Sequence, residues 1–208
     1  MENDLKVHYL KTVVPAMMKN RGYINLHQVP KLEKIVLNCS VGSLTDIKVA
    51  LEDAVHDLTM ITGQKPIKTK SKKSISNFNL RLHQEIGCKV TLRGKIMYDF
   101  LLRFIRAALP RIRDFRGIPN GGFDGRGGYT LGVKDHSIFP EIEIDRVKRN
   151  LGFDVTFVTS GKEREETREM LALMGMPFIV RTQDAAKTGN KEKTDGQEVL
   201  SAYAKEDP

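Results

Sequence analysis

Cysteine is scarce in this 208-residue chain. It has two, Cys39 and Cys88, and no Cys-x-x-Cys pair. A disulfide framework or a zinc finger is therefore not expected, and a reducing cytoplasm fits. The chain also lacks any apolar run of the roughly 18 residues a membrane helix requires, so no membrane partner is expected. The amino terminus "MENDLKVHYL" opens with acidic residues and has no apolar signal region, and it does not read as a secretory peptide.

Catalytic equipment is missing too. "GFDGRGG" (122–128) is glycine-rich, but it lacks the Lys-Ser/Thr of a phosphate loop and the Gly-x-Gly-x-x-Gly order between a strand and a helix. The five histidines are scattered without metal-ligand spacing, and His83 and His136 are expected in loops. "PEIEID" sets Glu141, Glu143 and Asp145 at period two, which reads as a solvated strand edge or turn in preference to a metal site. No Ser-His-Asp or Cys-His set follows from spacing. No catalytic residue, metal or cofactor is therefore assigned. An enzyme working on a phosphorylated or nucleic-acid substrate through Asp124 and Glu141 remains an alternative reading. A free regulatory RNA binder is another.

What is present is positive charge, in one place. The net charge is +8, but residues 1–64 carry seven basic and seven acidic groups, and residues 117–208 carry thirteen against sixteen. Residues 65–116 carry fourteen basic and three acidic groups, net +11. Charge concentrated in this way suits a polyanion partner.

Apolar periodicity supplies the scaffold. Leu5, Tyr9, Val13 and Met17 predict a helix over 4–20, with Pro15 as a possible kink. "KLEKIVLNCSV" (31–41) alternates, with Ile35, Leu37, Cys39 and Val41 on one face and Lys34, Val36, Asn38 and Ser40 on the other. A helix follows over 47–62, capped by Thr45 or Asp46 and ended by Gly63. A strand is expected from Gln64 to Lys70, with Gln64, Pro66, Lys68 and Lys70 sharing a face. "GCKVTLRG" (87–94) alternates again, pointing Cys88, Val90 and Leu92 one way and Lys89, Thr91 and Arg93 the other. Ile96, Phe100, Leu101, Phe104 and Ala108 mark a helix over 95–109 that Pro110 stops. The segment 111–132 is a glycine-rich loop ending in a strand, "GYTLGV". "FDVTFVT" (153–159) is a further strand. A Ser160/Glu163 capping box opens a last helix over 161–174, with Met170, Leu171 and Met174 facing inward. Residues 1–183 thus form a single domain. Residues 184–208, poor in apolar side chains, are expected to be a disordered extension.

The fold class is α+β: an open antiparallel sheet with helices packed on one face and a polar face left free for RNA. That face is expected to carry Asn38, Gln64, Lys68, Lys89, Thr91 and Arg93, groups that bond phosphates, 2′-hydroxyls and base edges. Phe and Tyr are absent from these positions, so groove and backbone contacts are expected in place of stacked bases. An ordinary solvated face is the plain alternative, and the lack of carboxylates there argues against it.

The segments "GQKPIKTKSKKSISNFNLR", "IGCKVTLRG", "LPRIRDFRG", "FDGRGGYTLGV" and "IFPEI" together resemble large-subunit ribosomal protein family five, the bacterial type that binds 5S ribosomal RNA. The resemblance covers roughly residues 5–180. It implies a structural constituent of the large subunit that attaches 5S rRNA in the central protuberance, alongside neighbouring 5S-binding large-subunit proteins. It implies 5S contacts by Asn38, Gln64, Thr91 and Arg93. It also implies that Ser71, Lys72, Lys73, Ser74, Asn77 and Arg81, in the polar loop, reach the P-site tRNA. An intersubunit bridge to small-subunit ribosomal protein thirteen would fall between Arg111 and Glu143. "RLHQEIG" stands where the family often has Tyr-Pro before Ile-Gly, so the loop tip is expected to differ in shape. The extension after Phe178 passes the usual end of the family.

Overall fold

The computed structural model describes residues 4–42, 46–142 and 149–179. Five strands form one antiparallel sheet: β1 (Leu32–Ser40), β2 (Ile67–Lys70), β3 (Glu85–Leu92), β4 (Tyr129–Val133) and β5 (Phe153–Thr159). Their order is β2-β3-β1-β5-β4. Helix α1 (Asp4–His8) passes through a π-helical turn, Tyr9–Val13, into α2 (Val14–Arg21). Helices α3 (Ile47–Thr62), α4 (Gly94–Arg103) and α5 (Arg164–Leu173) follow. The expected class, an α+β fold on an open antiparallel sheet, is the one found.

Alternation explains why the sheet has one wet and one dry face. Register sets Leu37 opposite Val90 on β3 and Val155 on β5, and all three are buried. Their neighbours in the chain point the other way. Each fully buried Leu or Val contributes about 1.5–3 kcal/mol over leaving it in water, so a one-residue slip in register would cost the whole row. Helices α3 and α4 cover the dry face, where Phe100, Phe104 and Phe139 stack with centroids 5.8–6.2 Å apart. Phe157 and Tyr129 extend this aromatic layer from the sheet side. Cys39 and Cys88, opposed in register, are buried free thiols within the same core.

Several local expectations are corrected. The first helix continues through Pro15, which follows a π turn closed by the bond from Val14 N–H to Tyr9 O. Helix α4 buries Met97 and leaves Ile96 45% exposed. Its apolar stripe therefore runs 97, 100, 101, 104. Pro110 does not stop the helix at 109 but lies inside a 3-10 turn, Leu109–Arg111. The Ser160 capping box does not form. Ser160 Oγ instead accepts from the Lys31 N–H at 3.0 Å, tying β5 to the entry of β1, and Glu166 accepts from the Lys162 N–H at 3.2 Å. Asp46 is the N-cap residue of α3 but makes no side-chain capping bond, its carboxylate lying instead 3.4 Å from Arg149 Nη2, and Thr45 lies outside the described residues.

Helices α2 and α5 are locked by polar contacts. Arg21 Nε donates to Glu169 at 2.8 Å, and the Tyr23 hydroxyl donates to Glu166 at 2.6 Å. Burial first, and then this bond to Glu166, push the Tyr23 phenol up to about 12. Burial works to raise the Glu166 carboxyl as well. The bonds from Tyr23 and from the Lys162 and Glu163 backbone outweigh it and hold Glu166 below its ordinary value.

Candidate nucleic-acid interface

Register assembles the wet face row by row. Ile67, Lys89, Asn38, Asp154 and Gly132 lie side by side across all five strands. Thr91, Val36, Thr156 and Thr130 form the next row. The Thr130 and Thr156 hydroxyls meet at 3.2 Å. Arg93 continues the β3 alternation with extended backbone and is exposed, as are Asn38 and Lys89. The residue before Cys88 is Gly87, between Ser40 and Thr69 in register. A Cβ there would sit 2.6 Å from Cys39 O and 3.1 Å from Thr69 Oγ1. Glycine is what lets three strands approach at this corner of the face.

Two of the expected face residues stand elsewhere. Lys68 pairs with Cys88, so it projects to the helix side of the sheet, and its Nζ lies 3.3 Å from Glu85 Oε2. The even-numbered residues of β2 do share a face, but it is the other one: Ile67, 68% exposed, and Thr69 take the wet side. At a sheet edge a lysine can lie on the covered side and still reach water, so its charge did not reveal its face. Gln64 precedes β2, in an exposed turn after α3 where Thr62 Oγ1 bonds its backbone. The wet face also holds one carboxylate, Asp154, against Lys34, Lys89 and Arg93. The alternation of "FDVTFVT" carried that signal, along with Thr156.

The loop between β2 and β3 is closed on itself. Ser71 N–H donates to Gln84 O at 2.8 Å, and His83 N–H donates to Ser71 O at 3.1 Å. Ile75 and Leu80 exchange backbone bonds around a 3-10 turn, Ser76–Phe78. Ser71, expected among the contact residues, is buried, and its hydroxyl donates to Lys73 O at 2.6 Å. Ser74 Oγ accepts from Leu82 N–H at 2.9 Å. Lys72, Lys73, Asn77 and Arg81 are exposed. So are Ile75, Phe78 and Leu82, which give the loop an apolar component beside its charge.

The residues of the enzyme alternative have structural work. Asp124 Oδ1 accepts from Arg126 N–H at 3.0 Å and also from Gly128 N–H, fixing its own turn. Gly127 packs so tightly on Gly161 that a Cβ would lie 2.3 Å from the Gly161 oxygen. Its carbonyl accepts from the Thr159 and Thr167 hydroxyls at 2.6 and 3.0 Å. Gly127 thus joins the glycine run to β5 and α5. Glu141 is ion-paired with Arg103. Glu143 and Asp145 lie outside the described residues. His136 lies in the connection after β4, at a 3-10 turn, and is buried there; its Nδ1 accepts from Leu151 N–H at 3.2 Å, and its Nε2 lies 3.3 Å from Asp57. Among the described residues no helix is long and apolar enough to cross a membrane.

Two family models match, "Ribosomal protein L5" over residues 25–81 and "ribosomal L5P family C-terminus" over 85–178. The chain is 54% identical over 178 residues to the large ribosomal subunit protein uL5 of Clostridium kluyveri, covering 86% of this chain and 98% of that one. The chain belongs to the ribosomal protein L5 family. Relatives of the same description in Clostridium perfringens and Desulforamulus reducens are 53% and 54% identical, over 85% and 84% of this chain and 98% and 97% of theirs. It is accordingly a structural constituent of the large ribosomal subunit, working among rRNA and other ribosomal proteins in the cytoplasm, and not an enzyme. The L5-family match passes through both the wet sheet face and the closed loop, and it stops short of residues 179–208.

Proposed function

We propose that the wet face of this sheet holds 5S rRNA and helps attach it in the central protuberance, beside neighbouring 5S-binding proteins. One observation carries the reading. The five-stranded sheet presents a face on which Asn38, Lys89 and Arg93 are exposed and which Lys34 and Thr91 also line, donors that suit phosphates and 2′-hydroxyls. Gln64 is exposed in the turn between α3 and β2 and is proposed to join this contact. The wet-face positions Lys34, Val36, Asn38, Lys89, Thr91, Arg93, Thr130, Asp154 and Thr156 hold no aromatic side chain, so the contact is with the groove and backbone of folded RNA and not with splayed bases. Lys68 lies on the far side of the sheet edge and is outside this contact set.

The closed loop is the part proposed to reach the P-site tRNA. Lys72, Lys73, Asn77 and Arg81 offer charge and hydrogen bonds that ignore base sequence, as a site meeting many tRNAs requires. Ser74 contributes its place in the loop, since Leu82 N–H already occupies its hydroxyl. The side containing Arg111 to Glu143 is proposed to face small-subunit protein thirteen as an intersubunit bridge.

A gel-shift titration with 5S rRNA against an unrelated RNA of equal length tests the first assignment. A preference of about a hundredfold, ~2.7 kcal/mol, is expected; equal binding to both RNAs would overturn it. Lys72→Ala with Lys73→Ala should spare 5S binding and weaken tRNA contact in reconstituted ribosomes. Loss of 5S binding by that pair would refute the division between sheet and loop.

A further inference from the structure

A groove of about 1040 Å³ runs between the outer edge of β4 and the segment 109–119. Its floor is apolar: Ile118, Val133 and Ile138 are buried beneath it, and Ile112, Phe115 and Leu131 are partly open to it. Its rim is basic. Arg111, Arg113, Arg116 and Lys134 are exposed and form no ion pair among the described residues, while Asp114 and Asp135 are the acidic groups there. At this side of the sheet β4 pairs with β5 and, among the described residues, has no partner strand on its outer side beyond a single bridge at Tyr129.

The described chain ends at this groove. Ile179 N–H donates to Ile118 O at 3.0 Å, Asn120 Nδ2 donates to Ile179 O at 2.8 Å, and Phe178 bridges Ile118. The sequence then continues through a polar, glycine-containing stretch to "QEVLSAYAKEDP" (197–208). Val199, Leu200 and Tyr203 in that segment are spaced for one helix face, i, i+1 and i+4. Around them stand Glu198, Glu206 and Asp207 against Lys205. The segment is thus an apolar stripe with an acidic border. The groove is an apolar floor with a basic border.

We propose that the groove seats residues 197–208 of the same chain. The geometry makes docking inexpensive. The intervening residues 180–196 span roughly 55 Å when extended and about 20–25 Å as a random coil. Their starting point is on the groove rim, so the segment is held there at a local concentration on the order of millimolar. A weak intrinsic affinity therefore suffices. The seated segment covers Phe115 and Leu131 and neutralises part of the arginine rim, which would otherwise attract any nearby polyanion. Docking of the segment in the free protein stands whether or not the sheet face carries 5S rRNA, because it uses the opposite side of β4; a bridge partner on the same 111–143 side would have to displace it.

The test uses the full chain. A benzophenone amino acid placed at Tyr203 is photolysed in the free protein, and the crosslinked peptides are mapped. Crosslinks to 109–119 or 131–138 within one molecule, at a yield independent of protein concentration, are expected. Crosslinks between two copies, or to other faces, would overturn the proposal in favour of a second chain or of no seat. Hydrogen exchange gives an independent reading. In a Val199→Asp, Leu200→Asp, Tyr203→Asp variant, which changes none of the groove residues, peptides 109–119 and 129–138 should exchange severalfold faster than in the native chain. Unchanged exchange there would overturn it as well.

Discussion

Lys89 and Arg93 can be removed together with little effect on the fold. Both are exposed on the wet face, and neither forms an ion pair among the described residues. The double substitution Lys89→Ala, Arg93→Ala should change stability by no more than about 0.5 kcal/mol. Its effect on RNA binding is calculable. A cation that neutralises a phosphate contributes about 0.7–0.9 to the slope of log K against log salt. Two cations therefore contribute about 1.4–1.8, and the variant's slope should be shallower by that amount. Between about 50 and 200 mM salt the native protein should lose roughly 7–12-fold more 5S affinity than the variant. Filter binding at four or five salt concentrations measures it, with thermal unfolding as the control. Asn38→Ala should behave differently, leaving the slope alone while costing about 0.5–1.5 kcal/mol of 5S preference. An unchanged slope in the lysine–arginine variant, with native stability, would refute the placement of phosphates on this face.

Other outcomes follow from the packing. Gly87→Ala must push a Cβ against the Cys39 carbonyl, so it should destabilise by about 1–3 kcal/mol in urea unfolding. Phe104→Ala empties a fully buried position between Phe100, Phe139 and Phe157 and should cost about 3–5 kcal/mol, read as a lowered melting temperature. The tyrosines predict an alkaline limb. Tyr9 and Tyr129 are pushed up to about 12, chiefly by burial, and Tyr23 to about 12 by burial and its bond to Glu166. Folding favours the protonated phenol, so their contribution is complete below pH 10 and is lost between 10 and 12, measurable by phenolate absorbance alongside circular dichroism. Glu166 acts in the opposite sense. Its folded pKa is depressed, so its contribution is present above about 4.5 and is lost as pH falls through the folded value. Glu166→Gln should flatten that part of the acid limb.

Strands and helices were legible wherever one face had to be dry. The period-two pattern of β1, β3 and β5 and the helical spacing of α3 and α5 leave no other way to bury Leu37, Val90, Phe157 or Met170. The phase of β2 was not legible. Four residues at a sheet edge bury too little for their pattern to choose a face, and only the pairing of Lys68 with Cys88 decides it. Ser160 illustrates a second limit: a capping box and a strand tie ask for the same residue, and the nearby Lys31 N–H won. Ser71 resembled its loop neighbours in chemistry, yet the close return of Gln84 and His83 encloses it. The packing role of the glycine run was not legible, because sequence does not reveal that Gly127 meets Gly161, 34 positions away. Of the interface, Asn38, Lys89, Thr91 and Arg93 were readable by alternation alone, and Asp154 was overlooked in a strand already identified.

The closed loop has a mechanical consequence. Its own bonds, from Ser71 to Gln84 and from Ile75 to Leu80, make it a stiff arm. The arm is rooted in β3, which is clamped between two strands, and in β2, which has four residues and one neighbour. A load applied at Phe78 travels down the arm with little bending and arrives as shear on the β2–β3 ladder. The compliant element is the root and not the tip. A partner that shifts against such an arm would displace it as a lever, with β2 as the hinge pin, and the loop tip would keep its shape through the stroke.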